Sequence, residues 1–248
     1  MILRFSWLKM VSGLLATGVA GGAWSAAEAV ALPSLASGST DTAQALRIVL
    51  GLSVLAILPA LLVCLTSFLR IIIVLSMLRQ AMGMPETPPN PVLIGLALFF
   101  TLFTMAPVLQ SLNEQAFQPF MGGTLGMEAA YGKGMAPLRE FMVRQTREQD
   151  LALMIELSKA KLPASIEEVS NVQLIPAFML SELRAAFQIG LAIFLPFLLI
   201  DLVVSAILMG LGFMMLPPIT VSLPLKVLVF VLVDGWALVL RALAGSFH

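Results

Sequence analysis

Apolar residues run in long blocks along this chain, divided by proline, glycine and charge. From Ala45 to Met82 the chain is apolar and helix-prone for 38 residues. A straight helix of that length would measure about 57 Å, well beyond a hydrocarbon layer of about 30 Å. Pro59 is expected to kink it, and Thr66, Ser67 and Arg70 bring polar groups into its second half. A charge facing lipid is costly, so Arg70 is expected to face protein or water. Met84–Pro91 (MPETPPNP) holds four prolines in eight residues and stops the helix. Val92–Leu109 is a second apolar span. A helical pattern resumes at Pro176, and Asp201 is the only charge between Ile189 and Leu216. The last apolar segment, Leu225–Leu243, carries Lys226, Asp234 and Arg241. These patterns predict an all-α fold of the membrane type, with hairpins of long, bent helices.

Between the two apolar halves, residues 110–187 change character. They hold 16 of the 28 Lys, Arg, Asp and Glu residues and read as a helical insert outside the membrane. Pro137 is expected to begin a helix whose apolar face includes Leu138 and Phe141. Met154 and Leu157 lie on a second apolar face. Such faces are large enough to bury against neighbouring copies, and Glu182 and Arg184 could pair between subunits. Arg144–Gln149 reads first as a solvated face. Ser165 with Glu168, and Asp41 with Gln44, fit capping boxes.

Gly210–Lys226 (GLGFMMLPPITVSLPLK) joins the last two apolar segments. Pro217 and Pro218 predict a helix end near Met215 or Leu216, and Pro224 marks the expected start of the next. The connector presents Phe213, Met214 and Met215. It reads either as a hairpin turn whose methionines pack in a core or meet lipid, or as a compliant seal of flexible thioethers. An antiparallel hairpin about this connector sets Asp201 level with Arg241 as candidate partners.

Composition narrows the functional classes. The chain is 59% hydrophobic and 11% charged with a mean hydropathy of +1.00, against about 25% charged in a soluble domain. Net charge is zero, so no basic field points to nucleic acid. Cys64 is the lone cysteine and His248 the lone histidine, which argues against disulfides, multi-cysteine metal sites and histidine-dependent catalysis. No cofactor is expected. Arg4 and Lys9, an apolar stretch to Ala23, and Ser25-Ala26-Ala27 read as a signal peptide over residues 1–27, with an uncleaved anchor as the alternative. The expected divisions are then a polar leader over 28–44, a first pair of apolar helices over 45–109, a periplasmic insert over 110–187 and a second pair over 188–248. Residues 66–91 and 212–224 would face the cytoplasm, where Arg70, Arg79 and Lys226 fit the positive-inside rule.

Several blocks in order carry a family resemblance. They are Thr66-Ser67-Phe68 with Arg70-Ile71-Ile72-Ile73-Val74, and Pro88-Pro89-Asn90 leading into Gly95-Leu96-Ala97-Leu98. Arg144-Gln145-Thr146-Arg147-Glu148, Ser181-Glu182-Leu183 and Ala186-Phe187-Gln188-Ile189-Gly190 follow. Pro196-Phe197-Leu198 with Ile200-Asp201-Leu202-Val203, Ser222-Leu223-Pro224 with Lys226, and Val233-Asp234-Gly235-Trp236 complete them. With these blocks the chain resembles the FliP family of type III export-gate proteins, nearer its flagellar branch than its injectisome branch.

The resemblance implies a non-catalytic pore subunit of the flagellar basal body in the bacterial inner membrane. Five copies would join one FliR and four FliQ subunits and pass unfolded flagellar subunits. It maps a methionine gasket onto Met214 and Met215, with Phe213 where the family often has a third methionine. It also favours structural pairing for Arg70, Glu182, Arg184, Asp201, Lys226, Asp234 and Arg241. The competing reading is a small-ion or solute transporter with Asp201, Lys226 and Asp234 as a relay. An intramembrane enzyme finds no support, since HExxH and GxSxG are absent.

Overall fold

Proline, glycine and side-chain hydroxyls set where each helix begins and ends. The structure, a computed structural model, describes residues 39–159, 165–213 and 215–247. The expected signal peptide, nearly all of the leader, and Met214 lie outside the described residues. The chain divides into two units, Met1–Gly51 and Leu52–His248. Helix α1 (Ser39–Leu65) begins in the first, with Asp41 inside it and not at its cap, and contains Pro59.

The expected long helix breaks after Leu65. Thr66 Oγ1 donates to the Leu62 carbonyl at 2.5 Å and accepts from the Phe68 N–H at 3.3 Å, which diverts the ladder. Ser67, fully buried, lies 2.7 Å from Thr104 Oγ1. α2 (Phe68–Ala81) then buries the stripe Ile71, Val74, Leu75, Leu78 and Ala81. Its following loop is pinned by Arg79, whose Nη1 donates to the Pro88 carbonyl and to Asn90 Oδ1 at 3.1 and 2.7 Å.

α3 (Asn90–Thr104) bends by 63° at Met105 into α4 (Ala106–Leu112), a π turn (Asn113–Phe117) and the short α5 (Gln118–Met121). α6 (Met127–Gln145) and α7 (Glu148–Leu157) follow, with Pro137 inside α6 and not at its start.

α8 (Asn171–Gly210) is a single helix of 40 residues, about 60 Å long. The boundary expected at 187/188 therefore falls inside one helix, and so does Pro176. Its capping box is Ser170 with Gln173; Ser165 makes no side-chain cap bond. α8 is the one helix among the described residues that could cross a membrane unbroken; three bent helix pairs would bring the number of spans to four. α9 (Pro218–Leu232) and α10 (Gly235–Gly245) form one of these pairs, bent by 66° at Val233-Asp234.

α2 and α8 run in the same direction, since Arg70 meets Glu182 and Met77 packs on Gly190. With α3, α9 and α10 they bury Leu78, Ala97, Phe197, Phe230 and Leu243 in one cluster. A second cluster joins Met105, Val108, Phe141, Met142, Ile155 and Phe178, with Leu138 packed against it. Phe141 thus belongs to the chain's own core and not to a face left for neighbours. α6 and α7 fold back on the first half of α8, and the Phe141 and Phe178 rings meet edge-on at 5.9 Å. Met154 is half-buried, and Leu157 stays 66% exposed.

Candidate functional site: the hairpin tip and its charged supports

Five or six residues earlier than its sequence predicts, α8 stops at Gly210. The Gly212 N–H donates to the Met209 carbonyl at 3.0 Å and the Phe213 N–H to that of Leu208 at 2.9 Å. This double bond pattern needs a left-handed residue between helix and loop, and Gly212 supplies it at φ +79°. α9 then starts at Pro218, with Pro217 as its N-cap. Proline suits the first helical position, where no N–H is needed and its fixed φ is already helical. Pro224, expected to close the connector, lies inside α9 instead. The tip is therefore tighter than expected. It presents Phe213, 56% exposed, and Met215, 99% exposed, beside Leu216.

This tighter turn resets the pairing of the two helices. Lys226 Nζ lies 2.6 Å from Asp201 Oδ2 and donates to the Ala81 carbonyl at 3.1 Å. Ala81 ends α2, so the ammonium also sits where that helix's dipole is negative. Lys226 is 4% exposed, whereas the Asp201 side chain is 44% exposed. Asp201 and Arg241 are thus not partners. Arg241 lies beyond the bend, exposed and without an ion pair among the described residues.

Arg70 forms a second support. Its Nε donates to Glu182 Oε2 at 2.9 Å and its Nη2 to Glu182 Oε1. Nη2 also reaches Gln145 Oε1 at 3.1 Å, and Nη1 donates to the carbonyl and Oγ of Ser246 at 2.6 and 3.0 Å. Arg70 and Glu182 are both buried, which only a hydrogen-bonded pair tolerates. Glu182 is thereby engaged within its own chain, not across a subunit boundary.

A third support lies in the corner the sequence presents as solvated. Asp150, fully buried in the first turn of α7, accepts from Ser181 Oγ at 2.7 Å. Its Oδ1 lies 3.1 Å from Arg184 Nε, an ionic contact too poorly aligned to count as a hydrogen bond. The Arg147 N–H donates to Ser181 Oγ at 3.0 Å, and Arg147 Nη2 to Gln188 Oε1 at 2.6 Å. So Arg147, Asp150 and Ser181 hold α7 and the turn before it on α8, while Gln145 ties the end of α6 to Arg70 on α2. The signal was the corner's mixture of long polar side chains with Asp150 just before the Leu151, Met154 face.

Asp234 occupies the α9–α10 bend at φ +51°, exposed and without an ion pair among the described residues. The trio imagined as a relay is therefore a pair plus a turn residue. These contacts position helices: each buried charge faces a partner.

The FliP family model matches residues 51–243. The flagellar biosynthetic protein FliP of Pectobacterium carotovorum subsp. carotovorum is 47% identical over 247 residues, which cover 100% of this chain and 95% of that protein. That of Bacillus subtilis is 45% identical over 84% of this chain and 94% of its own length. That of Aquifex aeolicus is 40% identical over 85% and 89%. Likeness of this extent, on an all-helical chain with a long apolar helix and a family match across nearly every element described above, shows that the chain belongs to the FliP family and is a membrane protein of flagellar biosynthesis.

Proposed function

We propose that this chain is a non-catalytic, pore-forming core subunit of the flagellar type III export gate, passing unfolded flagellar subunits. Five copies would assemble with one FliR and four FliQ subunits, among other export-apparatus proteins, at the inner membrane and its periplasmic face. The polar 110–187 segment would lie on the periplasmic side, after removal of a signal peptide. The observation that carries this reading is the tip: Met215 and Phe213 project, largely exposed, from a rigid glycine- and proline-bounded turn at the end of a 40-residue helix. Several copies of such a tip around one axis would ring a channel with thioethers and aromatic rings. Methionine repacks through rotamer changes, so the ring excludes water when idle and yields to a chain about 10–12 Å wide. Met214, inferred from its neighbours in sequence, belongs to the same gasket. Pairing of Asp201 with Lys226 supports a structural role for these charges over a relay.

The test is membrane conductance in cells expressing the complex. Met214→Ala with Met215→Ala is expected to raise resting ion leak while export continues, and Met215→Asp to leak more by hydrating the constriction. Assembled variants as tight as the parent would refute the gate.

A further inference from the structure

α9 carries a proline where a helix least accepts one. Pro224 offers no N–H to the Thr220 carbonyl, and its ring crowds that oxygen. On its two sides the helix is held differently. Beyond it, Lys226 bonds to Asp201 and to the Ala81 carbonyl, and Phe230 packs beside Phe197 with ring centroids 6.3 Å apart. Before it, Ser222 is fully buried, yet its Oγ has no hydrogen-bond partner. Thr220 Oγ1 turns back to the Pro217 carbonyl at 2.7 Å. Among the described residues, no side-chain hydrogen bond or ion pair ties Met215–Leu223 to another helix.

We propose that Pro224 is a hinge and Lys226 the fixed post beside it, so that Met215–Leu223 swings as one arm carrying the tip. The proposal rests on the gate reading and adds how the gate moves. Bending at Pro224 breaks no backbone bond at Thr220, because none is there. Sliding Ser222 breaks no polar contact for the same reason. Lys226 would have to give up two charge-assisted bonds in a low-dielectric site, so motion stops at that turn. The arm can then move aside for a passing chain while the core behind it stays packed.

Hydrogen exchange and subunit export, measured on the assembled complex with parent, Pro224→Ala and Pro224→Gly chains, test the hinge. In Pro224→Ala the restored bond is expected to slow exchange of the Leu225, Lys226 and Val227 amides, whose helical bonds cross the hinge, about tenfold. Thermal stability should rise, and export should fall about tenfold with resting conductance unchanged. Pro224→Gly, which stays pliable, should export like the parent. Unchanged exchange and export in Pro224→Ala overturn the hinge, and so does lost export accompanied by lost stability, the mark of a merely structural proline. Tip variants that leak while Pro224→Ala exports normally reject the hinge alone. Tight tip variants with proline-dependent exchange reject the gate and keep the hinge.

Discussion

The Arg70 guanidinium carbon lies over the Phe247 ring, 4.1 Å from its centroid, and that ring packs on both core clusters. All five of its N–H groups are engaged, by Glu182, Gln145 and Ser246. One side chain thus ties α2, the α6 corner, α8 and the segment after α10.

Lysine cannot replace such a fork, since it has three donors and no planar face. Arg70→Ala is expected to cost about 3–5 kcal/mol by leaving Glu182 buried and unpaired, and Arg70→Lys most of that. Phe247→Leu should cost about 1 kcal/mol, the cation–π share, while keeping the apolar contact. Thermal unfolding in detergent reads each loss; an Arg70→Lys chain as stable as the parent would contradict the geometry.

Asp201 and Lys226 differ in exposure, so their substitutions should differ in effect. Asp201→Ala strands a buried ammonium and is expected to impair assembly strongly. Lys226→Met leaves a carboxylate that water can reach, and should be milder. Combining the two should recover much of the loss of Asp201→Ala, because no buried charge then lacks a partner. Yield of the intact complex is the measurement, and a double variant worse than either single one would oppose the pairing.

Two glycines separate rigid from forgiving contacts. A Cβ on Gly235 would fall 2.2 Å from two carbons of the Phe230 ring, which is wedged between Phe197 and Trp236. One on Gly190 would meet the Met77 Sδ at the same distance and the Met77 Cβ at 3.2 Å; the thioether can swing away, which leaves only the milder Cβ contact. Gly235→Ala is expected to cost about 1–3 kcal/mol and Gly190→Ala distinctly less. Equal melting temperatures for the two variants would show that Phe230 has room to move.

Phe141→Ala should empty a site in the second cluster and cost about 3–5 kcal/mol. Because the ring packs on Phe178 within the same chain, the expected result is loss of folded protomer, not dissociation of folded copies. Folded monomers released from a disrupted complex would instead place Phe141 at a subunit boundary.

The all-helical class, the stop at Met84–Pro91, the inward-facing Arg70 and a hairpin turn at Pro217-Pro218 were legible from the order of residues. Each depends on local chemistry: apolar run length, a missing proline N–H, or the cost of charge in an apolar stretch. The partner of Asp201 was not legible. It depends on where both helices end, and Gly212 ends α8 at Gly210 while Pro218 starts α9 six or seven residues before the start expected at Pro224 or Leu225. That shift of register replaces Arg241 by Lys226. The bend at Asp234, Phe141's burial and the Arg144–Asp150 corner likewise waited on the tertiary structure. A proline inside a helix, a polar run and an apolar face each admit two environments, and only packing against α2 and α8 chooses between them.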